Sequence, residues 1–356
     1  MTEITLEDVS KYFDGGDIVA NYKLNATIRD GEFLVILGPS GCGKTTALRL
    51  IAGLEKPSEG KIYFDDQRVD QLSPSNRNIA MVFQNYALYP HMTVRENIAY
   101  PLKIRDMPPA QRDERIEEIT ELLHIEDLLG KKPAELSGGQ RQRTSLARAI
   151  VREPTVFLLD EPLSNLDAKL RLEMRSELKR IQDEIGITTI YVTHNQEEAM
   201  SMGDRVMVMN QGTIRQIAPP EELYKRPRTK WVANFIGSPA MNIIDGTAVN
   251  GTFELVNGDV VPLIADGVEG EASLGIRPEN LSVTTVEPST EHTLTGTVDT
   301  IEPLGEVTLV NVDVGGTIVR VKVPETDLER GEHVFVTYEQ DSAYIYDDSG
   351  MLVGES

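Results

Sequence analysis

Gly38-Pro39-Ser40-Gly41-Cys42-Gly43-Lys44-Thr45-Thr46 carries a pattern, G-x-x-x-x-G-K-S/T over Gly38–Thr45, that belongs to phosphate-binding P-loops. Immediately before it, Phe33-Leu-Val-Ile-Leu37 is a short, wholly apolar run that reads as a buried strand. Immediately after it, Thr46-Ala-Leu-Arg-Leu-Ile-Ala-Gly53 reads as a helix stopped by glycine. A strand, a glycine-rich turn and a helix in that order are what the pattern requires. Glycines let several backbone N–H groups converge on one phosphate, and the helix N-terminus adds its dipole. Lys44 supplies a point charge for the β- and γ-phosphates, and Thr45 a hydroxyl for Mg2+. The chain is expected to bind a nucleoside triphosphate.

The 356 residues are 40% hydrophobic and 26% charged, which suits a globular chain of two or three domains. No run of 18 apolar residues occurs and the acidic N-terminus lacks a signal-peptide core, so neither a membrane span nor secretion is expected. Cys42 is the single cysteine, which excludes an internal disulfide and suits a reducing cytoplasm. From Met241 onward there are 22 acidic against 4 basic residues, net −18; the first 240 residues hold 35 against 31, net −4. The acidic final third disfavours binding of that part to nucleic acid. With 13 lysines against 22 arginines, the acidic surface is read as a solvated one, with a salt-rich habitat as the sharper alternative.

Along the chain, Ile4–Val9 and Leu24–Ile28 alternate like antiparallel strands with one wet face, with Lys11-Tyr-Phe13 placed in the turn region between them. Gly60–Phe64 and Asn78–Phe83 read as strands, the second ending at Gln84. From about residue 90 to 152 the pattern is helical: Arg112–Leu129 carries Ile116, Ile119, Leu122 and Leu123 on one face, and Arg141–Val151 follows Leu136-Ser-Gly-Gly-Gln140. Val156–Leu159 is a buried strand and Lys169–Ile185 a helix. Thr189–Val192 and Arg205–Met209 are strands, with Met207 and Met209 read as core. The composition shifts at Ser238-Pro-Ala-Met-Asn242, beyond which short Val- and Thr-rich segments suggest a small β-barrel domain of OB type.

Two further elements carry chemistry. Val156-Phe-Leu-Leu-Asp160-Glu161-Pro162 is an apolar strand ending in carboxylates: Asp160 is suited to hold Mg2+ or its waters, and Glu161 to polarise an attacking water. Ser137, Gly138, Gly139 and Gln140 open a helix, where Ser137 reads as an N-cap and the turn as a second anion cradle. Two chains meeting head to tail would close both cradles on each nucleotide.

In this order, Gly38–Thr45, Gln84, Leu136–Gln140, Leu159–Pro162, Ser164-Asn-Leu-Asp167 and His194 resemble an ABC transporter ATPase, specifically the ATP-binding subunits of maltose and glycerol-3-phosphate importers. The resemblance covers essentially the whole chain and includes Phe83–Val94, Tyr224–Asn242 and Leu274–Glu279. It implies an α/β P-loop NTPase (ABC ATPase) domain over 1–237, with an antiparallel β-subdomain and a helical subdomain, and an all-β, OB-like (TOBE-type) regulatory domain over 238–356. It implies ATP and Mg2+ as ligands. Gln84 would reach Mg2+ and the attacking water, and sense the permease. Ser137, Gly138, Gly139 and Gln140 would meet the γ-phosphate held by the opposite subunit, Asp167 would cross the dimer interface, and His194 would contact the γ-phosphate. Phe13, with Tyr12 beside it as the alternative, would stack on adenine. The implied partners are a second copy, two transmembrane permease subunits and an extracellular solute-binding protein, at the cytoplasmic face of the membrane. The implied work is ATP-driven import, of a sugar before a polyamine, iron or sulfate, with a soluble ABC ATPase acting outside transport as the alternative. The permease would dock on the loop Asn85–Val94, whose Tyr86, Leu88, Tyr89, Met92 and Val94 are costly to leave in water. Cys42 reads as small-residue packing in the loop, with a redox switch as the alternative.

Overall fold

The computed structural model describes residues 2–263 and 267–355. It divides into two compact units, Met1–Pro220 and Glu221–Ser356.

In chain order the first unit comprises β1 (Ile4–Phe13), β2 (Ile18–Ile28), β3 (Phe33–Leu37), α1 (Lys44–Ala52), β4 (Glu59–Phe64), β5 (Gln67–Arg68), β6 (Ile79–Val82), α2 (Val94–Ile104), α3 (Pro109–Leu122) and α4 (Gly138–Ile150). There follow β7 (Val156–Asp160), α5 (Ala168–Ile185), β8 (Thr188–Thr193), α6 (Gln196–Met202), β9 (Arg205–Asn210) and β10 (Thr213–Ala218). The main sheet has the order β10-β9-β3-β8-β7-β6, parallel except for β10. Strands β3 and β7 are central in it and buried throughout, which is why each reads as an unbroken apolar run rather than an alternation. The pairings Val82↔Leu159, Asp160↔Val192 and Leu37↔Thr193 align four strand ends. Gly38, Glu161 and His194 each follow directly on such an end, and Gln84 lies two residues past Val82. The C-terminal edge of a parallel sheet is where such folds bind ligands.

The antiparallel sheet β2-β1-β4-β5 shares one core with the main sheet and α1, through Ile4, Leu6, Leu24, Ile28, Leu34, Ile36, Leu48 and Ile62 among others. Lys11-Tyr-Phe13 lies inside β1, paired with Asn21, Val19 and Ile18, and the turn is Asp14–Gly16. Register shifts along β1 break the strict alternation that would have marked these residues as strand. Helix α1 stops at Gly53 (φ 75°), where a Cβ would sit 2.6 Å from the Arg77 guanidinium. Arg77, 3% exposed, donates through Nη1 to the carbonyls of Leu50 and Ile51, both at 2.8 Å, and through Nε to Leu72 at 3.2 Å. A cation thus satisfies the last carbonyls of the helix.

Helices α2, α3 and α4 form the helical part. Capping boxes start two of them, Thr93 with Glu96 on α2 and Ser137 with Gln140 on α4. Helix α3 ends at Leu122, short of the expected Leu129, because His124 turns left-handed (φ 52°) and Ile125 N–H returns to the Thr120 carbonyl.

The second unit opens with α7 (Pro220–Lys225) and α8 (Lys230–Phe235). Strands β11 (Asn242–Val249), β12 (Thr252–Leu255), β13 (Val260–Pro262), β14 (Gly270–Ile276), β15 (Leu281–Thr284), β16 (Thr293–Pro303), β17 (Thr308–Val314), β18 (Thr317–Val323), β19 (His333–Tyr338), β20 (Ala343–Asp347) and β21 (Leu352–Glu355) follow. They make two antiparallel sheets, β13-β12-β11-β14-β20-β21 and β15-β19-β16-β17-β18, over a shared core that includes Ile244, Phe253, Leu274, Leu294, Val310 and Val334. The division at Pro220 precedes the compositional shift near 238 because residues 224–236 are tied to the β domain. Arg277, 2% exposed, donates to the carbonyls of Ile236 and Tyr224, and its guanidinium lies 4.1 Å from the Tyr224 ring centroid. Among the described residues no helix is long and apolar enough to cross a membrane.

Candidate active site

The turn after β3 folds tightly against its surroundings. At Gly38 a Cβ would stand 2.3 Å from the Met209 carbonyl oxygen, and at Gly43 (φ 99°) 2.3 Å from that of Ala20. Both positions therefore require glycine. Asn21 Nδ2 donates to the Gly43 carbonyl at 3.1 Å, and Gly212 N–H to that of Cys42 at 3.0 Å, fixing the back of the loop. Pro39, Ser40 and Gly41 remain exposed, while Thr45 and Thr46 are half-buried. Lys44, 5% exposed, curls onto its own loop and donates to the carbonyls of Gly38 and Pro39 at 2.8 and 2.9 Å. Cys42 is buried in the hydrophobic core, and burial pushes its thiol above the ordinary range. A protonated, enclosed thiol is unsuited to redox switching.

Thr45 Oγ1 donates to Asp160 Oδ1 at 3.1 Å, joining the P-loop to the end of β7. Burial pushes the Asp160 carboxyl up, opposed by the Thr45 hydrogen bond. A buried carboxylate beside a hydroxyl is a hard-oxygen donor set that a divalent cation would compensate, and Mg2+ needs few protein ligands beside phosphates and water. The residues present fit that ion.

Glu161 has a left-handed backbone (φ 45°), which β-region geometry for a continuing strand would not allow. It is held there by its N–H to the Val192 carbonyl at 3.0 Å, and by the Ser164 hydroxyl and N–H on its own carbonyl at 2.8 and 3.2 Å. An αL residue other than glycine costs about 1–2 kcal/mol and persists where the surroundings over-determine it. The result is that Glu161 Oε2 meets His194 Nδ1 at 3.1 Å. The acid and the histidine singled out in the sequence are thus brought together.

Gln84 is exposed, and its carbonyl accepts from Asn165 Nδ2 at 2.7 Å, which links this loop to Ser164–Asp167. Downstream, the carbonyls of Tyr86 and Ala87 are held from α4 by Ser145 and Arg148 at 2.7–3.1 Å. Of the five apolar residues in Asn85–Val94, Tyr86 and Val94 are buried, Leu88 and Met92 half-buried, and Tyr89 exposed. Ser137 and Gln140 bond each other across the first turn of α4. A Cβ at Gly138 or Gly139 would press at 3.0 Å on Leu166 or Leu170. Asp167 caps α5, its carboxylate accepting from Leu170 N–H at 3.0 Å. At the end of β1, the Tyr12 hydroxyl donates to Glu59 at 3.3 Å, while Phe13 carries the Lys11 ammonium 4.8 Å from its ring centroid.

Comparison with known proteins accords with this geometry. The ABC transporter family matches residues 22–164, a TOBE domain 274–345 and a MalK OB fold domain 237–281. The trehalose/maltose import ATP-binding protein MalK of Thermococcus litoralis is 47% identical over 366 residues, covering 98% of this chain and 98% of that one. The chain belongs to the ATP-binding subunits of ABC transporters. The sn-glycerol-3-phosphate import ATP-binding protein UgpC of Salmonella typhimurium is 51% identical over 86% of each chain. A solved dimeric ATP-binding cassette carrying ADP and inorganic phosphate is 34% identical, with a TM-score of 0.55, over 61% of this chain and 98% of that one.

In this ABC subunit the sequence left several positioning groups unnoticed. Asn21, Arg77, Arg171 and Glu198 are ordinary polar residues outside the quoted motifs, and Asn165, inside Ser164–Asp167, has no role that its sequence setting assigns. Their hydrogen bonds reveal them, together with burial for Asn21, Arg77 and Glu198. Glu198 is 4% exposed on α6 and accepts from Tyr191 and Thr193. Burial, with the Glu198 charge beside it, pushes the Tyr191 hydroxyl well above its ordinary range, so it stays a donor.

Proposed function

We propose that this chain is the ATP-hydrolysing subunit of a binding-protein-dependent importer of carbohydrates. It would act as a homodimer at the cytoplasmic face of the membrane, beneath two permease subunits and fed by an extracellular solute-binding protein. What carries the reading is the alignment of Thr45–Asp160 and Glu161–His194 along one sheet edge, in a chain that resembles an import ATP-binding protein over almost its full length.

In this reading Lys44 turns from its own loop carbonyls to the β- and γ-phosphates, joined by the backbone N–H groups of Gly41–Thr46. Thr45, Asp160 and Gln84 would hold Mg2+, which when bound neutralises phosphate charge. Glu161 orients and polarises the attacking water, and His194, held by Glu161, faces the γ-phosphate. Ser137–Gln140 presents a capped helix N-terminus to the nucleotide of the second copy, beside its Asp167. Phe13 stacks on adenine, with the Lys11 ammonium 4.8 Å from its ring centroid.

Glu161→Gln tests the core of this. It should still bind ATP while turnover falls on the order of 100-fold; turnover at the normal rate would place the base elsewhere. Co-assembly with permeases and a binding protein, offered maltose, trehalose or glycerol 3-phosphate, tests the solute. Stimulation by a disaccharide supports the carbohydrate reading. Stimulation by glycerol 3-phosphate alone would replace it with the reading favoured by the second relative.

A further inference from the structure

Behind His194 lies a buried polar network that no contact with phosphate explains. Glu198 Oε2 accepts from Tyr191 Oη at 2.8 Å and from Thr193 Oγ1 at 2.7 Å. The other face of the carboxylate lies 3.8 Å from Arg171 Nε. Thr193 Oγ1 in turn accepts from Asn195 N–H at 3.0 Å, and Asn195 Oδ1 accepts from Glu198 N–H at 3.2 Å. His194 is therefore bracketed by two residues whose side chains both close on Glu198.

Arg171 extends the network. Its Nη2 donates to the Leu166 carbonyl at 2.8 Å and its Nε to that of Leu163 at 3.4 Å. These carbonyls belong to the turn that ends in Asp167. The Leu166 side chain from the same turn meets the Cβ position of Gly138 at 3.0 Å. Arg171 and Glu198 thus bridge the end of β8, which carries His194, to the turn that carries Asp167 and abuts Ser137–Gln140.

A packed apolar cluster would hold α5 against α6 as well as this half-exposed charge pair does. What a fork-shaped guanidinium and a carboxylate add is directional register between two carbonyls and two hydroxyls. We propose that Glu198 and Arg171 are positioning residues for hydrolysis, fixing His194 in register with the Ser164–Asp167 turn and passing a displacement of that turn to His194. The proposal rests on the reading above, in which that turn and Ser137–Gln140 face a second copy. It supplies the route by which closure of the two copies reaches the histidine beside each γ-phosphate. None of the network's hydrogen bonds given above runs to Gly38–Thr46, so nucleotide binding and turnover should separate.

The test uses the full chain carrying Glu198→Gln, Arg171→Lys, or both, with ATP turnover measured against ATP concentration. Each single variant should lower kcat about tenfold while KM for ATP stays within about twofold. The double variant should lose no more than the worse single one, because both cut the same bridge. The Hill coefficient for ATP should fall toward one. Unchanged kcat, a loss carried by KM, or losses that multiply in the double variant would overturn the proposal. Should Glu198→Gln fail to fold, Arg171→Lys is judged by the same kcat and KM criteria. The His194 imidazole resonance, assigned by its loss in His194→Ala, provides a readout independent of turnover. It should move in both single variants, and an unmoved resonance would also overturn the proposal. Absence of ATP turnover in the unsubstituted chain would instead count against the proposed function.

Discussion

Replacing Lys44 by methionine isolates the charge at the centre of the phosphate loop. Methionine keeps an unbranched apolar stem of similar length, so the packing of a side chain only 5% exposed is largely preserved. What disappears is the ammonium. That group now donates to the carbonyls of Gly38 and Pro39 at 2.8 and 2.9 Å, and among the described residues it makes no ion pair with a carboxylate. A phosphate oxygen must compete with these two neutral acceptors, so ATP gains a difference between bonds rather than a whole new one. Hydrogen bonds to charged groups are worth about 1.5–3 kcal/mol net, and the upper part of that range applies where both partners are charged. A loss of about 2–3 kcal/mol corresponds to roughly 30- to 150-fold weaker ATP binding. The measurement is a calorimetric titration with Mg-ATP in the Glu161→Gln background, where hydrolysis does not consume the ligand. The wild-type side of the comparison should also weaken with added salt more steeply than the methionine variant. An affinity within threefold of the parent, in a protein with an unchanged melting temperature, would refute the role of this lysine.

Three further outcomes follow from the geometry. Arg77→Met removes a donor from three backbone carbonyls, of which that of Leu50 keeps the Gly53 N–H at 3.1 Å, and takes the cation from the end of α1; allowing for relaxation, it should destabilise the first unit by about 2–4 kcal/mol, and an unchanged melting temperature would contradict that. The Arg68 guanidinium, with help from Gln71 and the Ile62 N–H, lowers the Asp70 carboxyl to about 2 against the opposing effect of burial. A depressed carboxylate stabilises the fold above its unfolded pKa of 3.8 and loses that contribution as pH falls toward about 2, so Asp70→Asn should flatten the decline in melting temperature over this window, and an identical acid limb would exclude the pair as its cause. Tyr89, 37% exposed and edge-on to Tyr100, should tolerate aspartate for ATP binding but lose stimulation by permease subunits; full solute transport by Tyr89→Asp would move the docking surface elsewhere.

Much of the fold was legible because burial on both faces of a central parallel strand writes itself into composition. Phe33–Leu37 and Val156–Leu159 could be little else, and Gly53 marked the end of α1 for a steric reason. Lys11–Phe13 was misplaced because bulges in β1 disturb the two-residue period. Helix α3 was drawn too long because a left-handed histidine leaves no mark on hydrophobic periodicity. At the site, Gly38, Glu161 and His194 follow three strand ends that the sheet register aligns, while Ser137, Asp167 and Phe13 sit at the start of α4, the start of α5 and the end of β1. The sequence could not express the φ of Glu161, which aims the carboxylate at His194. Nor could it express Arg171 and Glu198, since two charged residues 27 positions apart that meet only in the fold look like two surface residues.

The pairing of these groups with one another has a consequence for energetics. Lys44 is engaged by loop carbonyls, Thr45 by Asp160, Glu161 by His194, Ser137 by Gln140, and Asp167 by the start of α5. Each functional group already has a partner, which keeps its rotamer defined and lowers the entropy that ordering would otherwise cost. On the proposed function a nucleotide would meet a shaped site in which every contact with these side chains is an exchange, worth about 1 kcal/mol for the uncharged partners and about 2–3 kcal/mol for the Lys44 ammonium. Backbone N–H groups of the glycine loop are different: several converge on one anion, and the exposed Pro39, Ser40 and Gly41 leave that approach open. Binding should then be carried mainly by the loop backbone and the Lys44 charge. On the same proposal, the exchanges at Thr45, Glu161 and Ser137 would set instead whether bound ATP is aligned for attack. Affinity would then rest on the turn after β3, and turnover on the ends of β7 and β8 together with the start of α4.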